Sequence, residues 1–240
     1  MKAPVPCVRL PVAYTSPMVH PACEVAWRGA PWAMAFDPHR ELHFSLEDGT
    51  PLSVRSIRPE DRDFIAEAFR RLSPEARYFR FWTRVRELNP KLIDSICSPD
   101  QKDHVAWVAR HQTREDIPGI GGGSFWRLKD DPQAAEISFT VADEFQGKGV
   151  GTLLLAVLWE HALTLGITRF VGHVLHENVS MRAWWDALGA MEQEAPRHWL
   201  TTLVLDEALL ENNHAGNGLR LRLAQVRTWM SEPDAAAAVE

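Results

Sequence analysis

Cysteine is scarce: Cys7, Cys23 and Cys97 are the only three in 240 residues, the count is odd and no CxxC pair occurs. That excludes a disulfide framework and a thiolate zinc site, and a reducing, cytoplasmic setting is the expectation. Histidines do not supply a metal set instead. His173, His176 and His198 lack ligand spacing and HExxH is absent, so no metal is expected. No uninterrupted apolar run approaches the roughly 20 residues that a membrane span needs. The opening MKAPVPCVRLPVAYTSP is broken by prolines where a signal peptide would be apolar. Basic residues are outnumbered, 26 against 32 acidic, for a net charge of −6. A general nucleic-acid binder carries the opposite excess. A G-x-S-x-G nucleophile elbow is missing as well. Neither a nucleic acid nor a membrane is an expected partner.

What is present is ordinary for a globular chain: 45% hydrophobic and 24% charged residues. The length suits one large domain or one domain with extensions. Residues 1–40 hold seven of the sixteen prolines and read as extended or irregular. Trp27, Trp32 and Phe36 suggest that this segment lies on the domain, since a free arm would be poorer in aromatics. From Glu41 the pattern becomes regular. HFSLEDGTPLSVRSI reads as two strands around the turn pair Asp48-Gly49. Arg58-Pro59-Glu60-Asp61 starts a helix whose buried stripe is Phe64, Ile65, Ala68, Phe69 and Leu72. Ser73 caps a second helix carrying Arg77, Arg80 and Arg84 on one face, either a basic face for an acidic ligand or a solvated one.

Farther along, Asn89-Pro90 and Ser98-Pro99 bound a short helix, and residues 104–110 alternate like a strand. The run Gly119 to Gly123 has no amphipathic helix after it, so it reads as a strand that another backbone approaches closely. Strands at 169–175 and 198–205, a helix from Asn178 to Leu188 and a tail helix over 219–230 complete the pattern. The chain shows no internal repeat and no second core. Its expected division is an N-terminal extension over 1–40, one mixed α/β domain over 41–206, and a C-terminal helical extension and tail over 207–240.

The most informative stretch is AAEISFTVADEFQGKGVG, residues 134–151, followed by TLLLAVLWEHALTLG. Ala135, Ile137, Phe139 and Val141 point one way on a strand, while Glu136, Ser138 and Thr140 point the other. From Val150 the apolar positions take helical spacing, at 150, 154, 157/158, 162 and 165. Between lies Gln146-Gly147-Lys148-Gly149-Val150-Gly151. Its glycines let backbone N–H groups converge, and the following helix start adds unsatisfied N–H groups and a positive dipole end. That is a phosphate cradle. A dinucleotide fingerprint is not met, because Thr152 stands where its third glycine would fall.

This loop resembles the Q/R-x-x-G-x-G/A motif of the GNAT superfamily of N-acetyltransferases, with the strand and helix in their expected places. LSPEARYFRFW (72–82), AEISFTVADEFQGKGVG (135–151) and ENVSMRAWWDALGA (177–190) are similar to the bacterial Pat-type protein lysine acetyltransferases. The similarity runs from about Leu46 to Asp206, about two thirds of the chain. Members of that family often carry a cyclic-nucleotide-binding or acyl-CoA-synthetase-like domain, and neither is expected within these 240 residues. The resemblance implies a GNAT-type fold: a central, mostly antiparallel, twisted sheet splayed in the middle and flanked by helices.

It also implies acetyl-CoA as donor. The pyrophosphate is expected on Gln146, Gly147, Lys148, Gly149, Val150, Gly151 and Thr152, chiefly on backbone N–H groups. Pantetheine is expected along Phe139, Thr140 and Val141 like an added strand, with Asn178 touching its arm. Lys148 either adds charge there or is an exposed loop lysine.

Amine acylation needs a base, because a lysine amine of pKa ~10.4 is uncharged only about once in a thousand at neutral pH. Glu136 is the candidate. It lies about six residues, roughly 20 Å of strand, before the strand gives way at Ala142 to the turn that leads into the loop, a span comparable to an extended pantetheine arm. It also aligns with the acidic residue to which the Pat-type base is assigned. The alternative is a strand glutamate paired with an arginine. Many GNAT enzymes place a tyrosine on the helix after the asparagine to protonate the thiolate, but here Trp184 and Trp185 stand there and the only tyrosines are Tyr14 and Tyr78. Ser180 is a weaker substitute, better placed for helix capping.

The expected activity is acetyl transfer from acetyl-CoA to a protein lysine by direct attack. The acceptor alternatives are a small amine or an antibiotic, and the alternative class is a non-catalytic acyl-CoA sensor. The N-terminal segment is expected either to cover the acceptor groove or to form a homodimer contact.

Overall fold

The computed structural model describes residue 37 and residues 40–114 and 116–231. The proline-rich segment with Trp27, Trp32, Phe36 and Tyr14, and the alanine tail 235–238, lie outside the described residues. Within them runs one eight-stranded sheet in the order β1-β2-β3-β4-β5-β6-β8-β7. The strands are β1 (Leu42–Ser45), β2 (Pro51–Ser56), β3 (His104–His111), β4 (Gly121–Arg127), β5 (Ala134–Val141), β6 (Arg169–Leu175), β7 (Met191–Ala195) and β8 (His198–Val204). Every neighbouring pair is antiparallel except β5 with β6. The mixed α/β, mostly antiparallel architecture expected from sequence is the one observed.

Helices cover both faces. On one lie α1 (Arg62–Arg71), α2 (Pro74–Phe81) and α3 (Pro90–Ile96), over a cluster of Ile57, Ile93, Cys97, Ala106 and Val108. On the other lie α4 (Val150–Thr164), α5 (Val179–Ala187) and α6 (His214–Ser231) over the larger cluster, which includes Trp107, Phe125, Phe170 and the leucines of α4. The two clusters are the two faces of one sheet, so the single core read from sequence is divided by the strands. Phe69 and Leu72 are buried as expected, but Phe64, Ile65 and Ala68 are only half-buried. They line an apolar cleft between α1, α2 and the glycines of β4.

Local chemistry explains most boundaries. Ser73 Oγ accepts from Ala76 N–H at 3.1 Å and caps α2. Asn89 and Asn178 cap α3 and α5 in the same way. A buried, two-pronged ion pair between Arg55 and Asp61 (2.7 and 2.6 Å) holds the entry to α1 against β2, and Asp61 also accepts from Arg58 N–H at 2.8 Å. The basic face expected across Arg77, Arg80 and Arg84 is broken: α2 ends at Phe81, and Trp82 takes a left-handed conformation with φ 57°. Arg84 therefore leaves the helix. β7 has no local signature, since MEQEA lacks apolar alternation and becomes a strand only by pairing with β8.

The glycine run of β4 is close-packed as expected. A Cβ on Gly121 would lie 3.0 Å from the Thr140 carbonyl oxygen, and one on Gly123 2.8 Å from Leu158 of α4. α4 departs from the expected one-sided stripe: its residues from Leu153 to Ala162 are buried all round. The sheet covers one side and α6 the other, through Leu219, Leu223 and Val226. Arg227 clips the two helices, reaching Glu160 (2.7 Å) and Glu207 (2.5 Å). α6 starts at His214, five residues before the expected 219, because Gly216 lets the chain pass the Glu211 carbonyl, only 2.0 Å from where a Cβ would sit.

Candidate active site

The sheet parts in the middle. β4 pairs with β5 along the whole strand, from Arg127↔Ala135 to Gly121↔Val141. β6 pairs with β5 only through Ala134↔Arg169, Ala135↔Phe170 and Glu136↔Val171. Beyond Glu136 the β6 edge turns to β8 alone, in register from Arg169↔Val204 to Leu175↔His198. The β6-facing edge of β5 from Ile137 to Val141 is thus left without a strand partner among the described residues, and a wedge opens whose apex is Glu136 and Val171. Buried backbone groups need partners, and an extended ligand laid along this edge would supply them.

At the wide end of the wedge stands the glycine loop. Gly147 and Gly149 have φ of 71° and 83°, positions that favour glycine. The first helical bond of α4 runs from Leu153 N–H to the Gly149 carbonyl at 3.0 Å. Among the described residues the N–H groups from Gly147 to Thr152 have no carbonyl acceptor, so they add unpaired donors to the positive end of the helix dipole, an arrangement that favours an anion. Val150 is buried and anchors the loop to the core. Gln146 is turned inward to its own strand, its Nε2 donating to the Val141 carbonyl at 3.1 Å. Lys148 is half-exposed, 3.4 Å from Asp48 in the β1–β2 turn and 5.4 Å from the centroid of the Phe145 ring.

Asp143, just ahead of the loop, accepts from both N–H and Oγ of Ser73 (2.9 and 2.8 Å) and ties the start of α2 to this end of the wedge. Asn178 caps α5 by accepting from Met181 N–H at 3.3 Å, which leaves its amide N–H groups available beside the β6 end.

The alternation of β5 is as read. Ala135 and Ile137 belong to the α4-side core and Phe139 packs against it, meeting Trp184 edge-on at 5.8 Å. Glu136, Ser138 and Thr140 stand on the α1–α2 face, where Ser138 and Thr140 line the apolar cleft. Glu136 is exposed. Its cross-strand neighbour is Trp126, 47% exposed and stacked flat on His104 at 3.8 Å and 7°. A carboxylate thus stands beside an open indole face at the narrow end of the wedge. The pairing of Trp126 with Glu136 follows only from strand register, which no local sequence pattern carries.

The tryptophans of α5 are packing groups. Trp185 is buried against Gly172 and Trp184 rests on Phe139. Ser180 is exposed. Among the described residues no group of three His, Cys, Asp or Glu side chains is arranged to hold a metal, and no helix is long and apolar enough to cross a membrane.

A mostly antiparallel sheet that parts beside a glycine loop and a helix N-terminus defines a class, the N-acetyltransferases. Residues 52–191 match the acetyltransferase (GNAT) domain family, and the chain belongs to that family. It is 30% identical over 152 residues to an acetyltransferase of Pseudomonas aeruginosa, a match covering 63% of this chain and 81% of that protein. It is 33% identical over 138 residues to the acetyltransferase Pat of Mycolicibacterium smegmatis, covering 58% of this chain but only 40% of that protein. Among solved structures, the GNAT domain of S. lividans PAT superposes with a TM-score of 0.63 at 24% identity, covering 68% of this chain and 96% of that one. YncA of Salmonella typhimurium, solved with its cofactor acetyl-CoA, superposes with a TM-score of 0.52 at 18% identity, covering 68% and 99%. These two likenesses carry the fold alone.

Proposed function

We propose that this N-acetyltransferase transfers the acetyl group of acetyl-CoA to a lysine side chain of a protein, with Glu136 as general base. The observation that carries the reading is the parting of β5 from β6 directly after Glu136. A pantetheine arm entering from the glycine loop and lying on the open edge at Phe139, Thr140 and Val141 would end at that closure, beside the carboxylate.

The pyrophosphate would be held by N–H groups from Gly147 to Thr152, and the arm by the Asn178 amide. The pairing of Lys148 with Asp48 makes it a secondary contributor. Glu136, directly or through a water, takes the proton of the ammonium, and the freed amine attacks the thioester carbonyl. An outward N–H of the β5 edge stabilises the oxyanion. The flat face of Trp126 suits the methylene stem and cationic head of a lysine on its way to Glu136. The resemblance of LSPEARYFRFW (72–82) to the Pat-type protein lysine acetyltransferases supports a protein acceptor over a small amine or antibiotic.

The test incubates the protein with acetyl-CoA and either lysine-bearing proteins from a lysate or a panel of polyamines and aminoglycosides. Acetyl-lysine on protein with CoA release is the expected outcome. Turnover confined to the small amines moves the acceptor class. Tight acetyl-CoA binding with no CoA release for any amine replaces the enzyme with a sensor.

A further inference from the structure

Across the wedge from Ser138, the β6 wall carries a pair of histidines to which the reaction above gives no task. Ser138 and His173 are the first residues past the closure on the Glu136 face, because β5 and β6 stop pairing at Glu136↔Val171 and side chains alternate. The opposite set on β6, Phe170 and Val174, belongs to the α4-side core. His173 Nδ1 lies 3.0 Å from Nε2 of His198 on β8, a diagonal contact, since the direct cross-strand partner of His173 is Leu200. Trp82, the left-handed residue ending α2, sets its ring 5.0 Å from that of His198 and 6.2 Å from that of His173.

Burial pushes the pKa of both histidines below the usual value of 6.5, and the neighbouring His173 and His176 push His198 further down. At neutral pH both rings are therefore uncharged. Two neutral imidazoles in hydrogen-bond contact share one N–H: one ring donates, the other accepts. With His198 Nε2–H donating to His173 Nδ1, the proton of His173 sits on its Nε2. That leaves a donor at one end of a two-ring chain and an acceptor, His198 Nδ1, at the other.

We propose that His173 and His198 form the relay that protonates the departing CoA sulfur. The inference rests on the acetyl-transfer reading and fills the role for which α5 offers no tyrosine. The amine nitrogen bonds to the thioester carbonyl carbon, and the C–S bond breaks with its electron pair going to sulfur. His173 Nε2–H gives its proton to the sulfur, His173 Nδ1 takes the proton of His198 Nε2, and His198 Nδ1 takes one from water. Glu136 takes one proton from the ammonium before attack and passes it to solvent, then takes the nitrogen's second proton as the amide forms. That second proton offsets the one His198 draws from water, so ammonium and thioester become amide, thiol and one released proton. Exchange with water after the thiol leaves returns both rings to their starting tautomers. His173 is the catalytic residue of the pair, and His198 positions and refills it.

The experiment compares the full chain with His173→Gln and His198→Gln, using acetyl-CoA and the corresponding acetyl selenoester, whose selenolate departs without a proton. The relay requires kcat with acetyl-CoA to fall about 100-fold in His173→Gln and less in His198→Gln, at unchanged KM for acetyl-CoA. It requires most of that loss to vanish with the selenoester. An equal loss with both donors, a change in KM alone, or wild-type kcat in His173→Gln overturns it. If His173→Gln does not fold, as judged by thermal melting, the same selenoester contrast in His198→Gln decides. Absence of CoA release by the unaltered protein with every amine is a failure of the acetyl-transfer reading, and the relay falls with it.

Discussion

Glu136 occupies the last paired position before β5 leaves β6, so its carboxylate and an opening in the sheet are consequences of the same register. Its replacement by Gln keeps shape and removes basicity. Steady-state kinetics at neutral pH are expected to show kcat lowered at least ~100-fold, while acetyl-CoA binding measured by calorimetry is unchanged. Equal turnover would remove Glu136 from the mechanism. Asp61 illustrates the opposite use of a carboxylate. Burial alone would raise its pKa, but the hydrogen bonds from Arg55 and from Arg58 N–H outweigh that and hold it below the usual range. Asp61→Asn leaves the Arg55 guanidinium buried with its charge uncompensated. Urea unfolding is expected to show a loss of about 3–5 kcal/mol. Residues differed in how far sequence exposed them. Glu136 could be read, because alternation alone separates it from Ala135 and Ile137. His173 and Trp126 could not, because nothing in RFVGHVL or GGGSFWR says that the strand borders an opening.

At the scale of elements, the strand–loop–helix unit combines two separable functions, one of folding and one of binding. Gly149 stands at the N-cap of α4 with φ 83° and nothing within 4 Å of where a Cβ would lie. Gly149→Ala therefore meets no clash and bears only the cost of a left-handed alanine, roughly 1–2 kcal/mol. The expected result is a folded protein with a modestly lower Tm and a markedly weaker affinity for acetyl-CoA, because relaxing that strain turns the cradle N–H groups away. Unchanged affinity would show that the loop does not hold the pyrophosphate. Gly123→Ala belongs to the other function. Its Cβ would press Leu158 at 2.8 Å and Phe139 at 3.0 Å, so a loss of about 1–3 kcal/mol is expected in chemical denaturation. The helices with side-chain caps, α2, α3 and α5, could be placed from sequence because Ser73, Asn89 and Asn178 bond to their own first turns. β7 could not, since its pairing is owed entirely to β8.

For the whole molecule, several histidines are enclosed in neutral form, and this sets its response to acid. His161, buried beneath the sheet, accepts from Trp107 Nε1–H at 3.2 Å, and burial lowers its pKa to about 4. His104, under Trp126, is lowered to about 4 for the same reason. A histidine lowered from 6.5 contributes its full stability above pH 6.5. That contribution is lost as pH falls toward 4, because the unfolded chain binds the proton first. At pH 5 the loss at His161 alone is ~2 kcal/mol. Below about pH 4 the Asp61 contribution is lost in turn. Urea midpoints are expected to drop between pH 7.5 and pH 5, and equal midpoints would contradict the enclosure of these rings. By itself the sequence determined the strand, the loop and the helix around residues 134–164, since alternation, glycine and apolar spacing act within a few residues of one another. The wedge was decided by tertiary structure alone. Which strand abandons which neighbour depends on β8 competing for β6 and on α4 and α6 closing over one face. Those are contacts between segments far apart in the chain, and no local pattern records them.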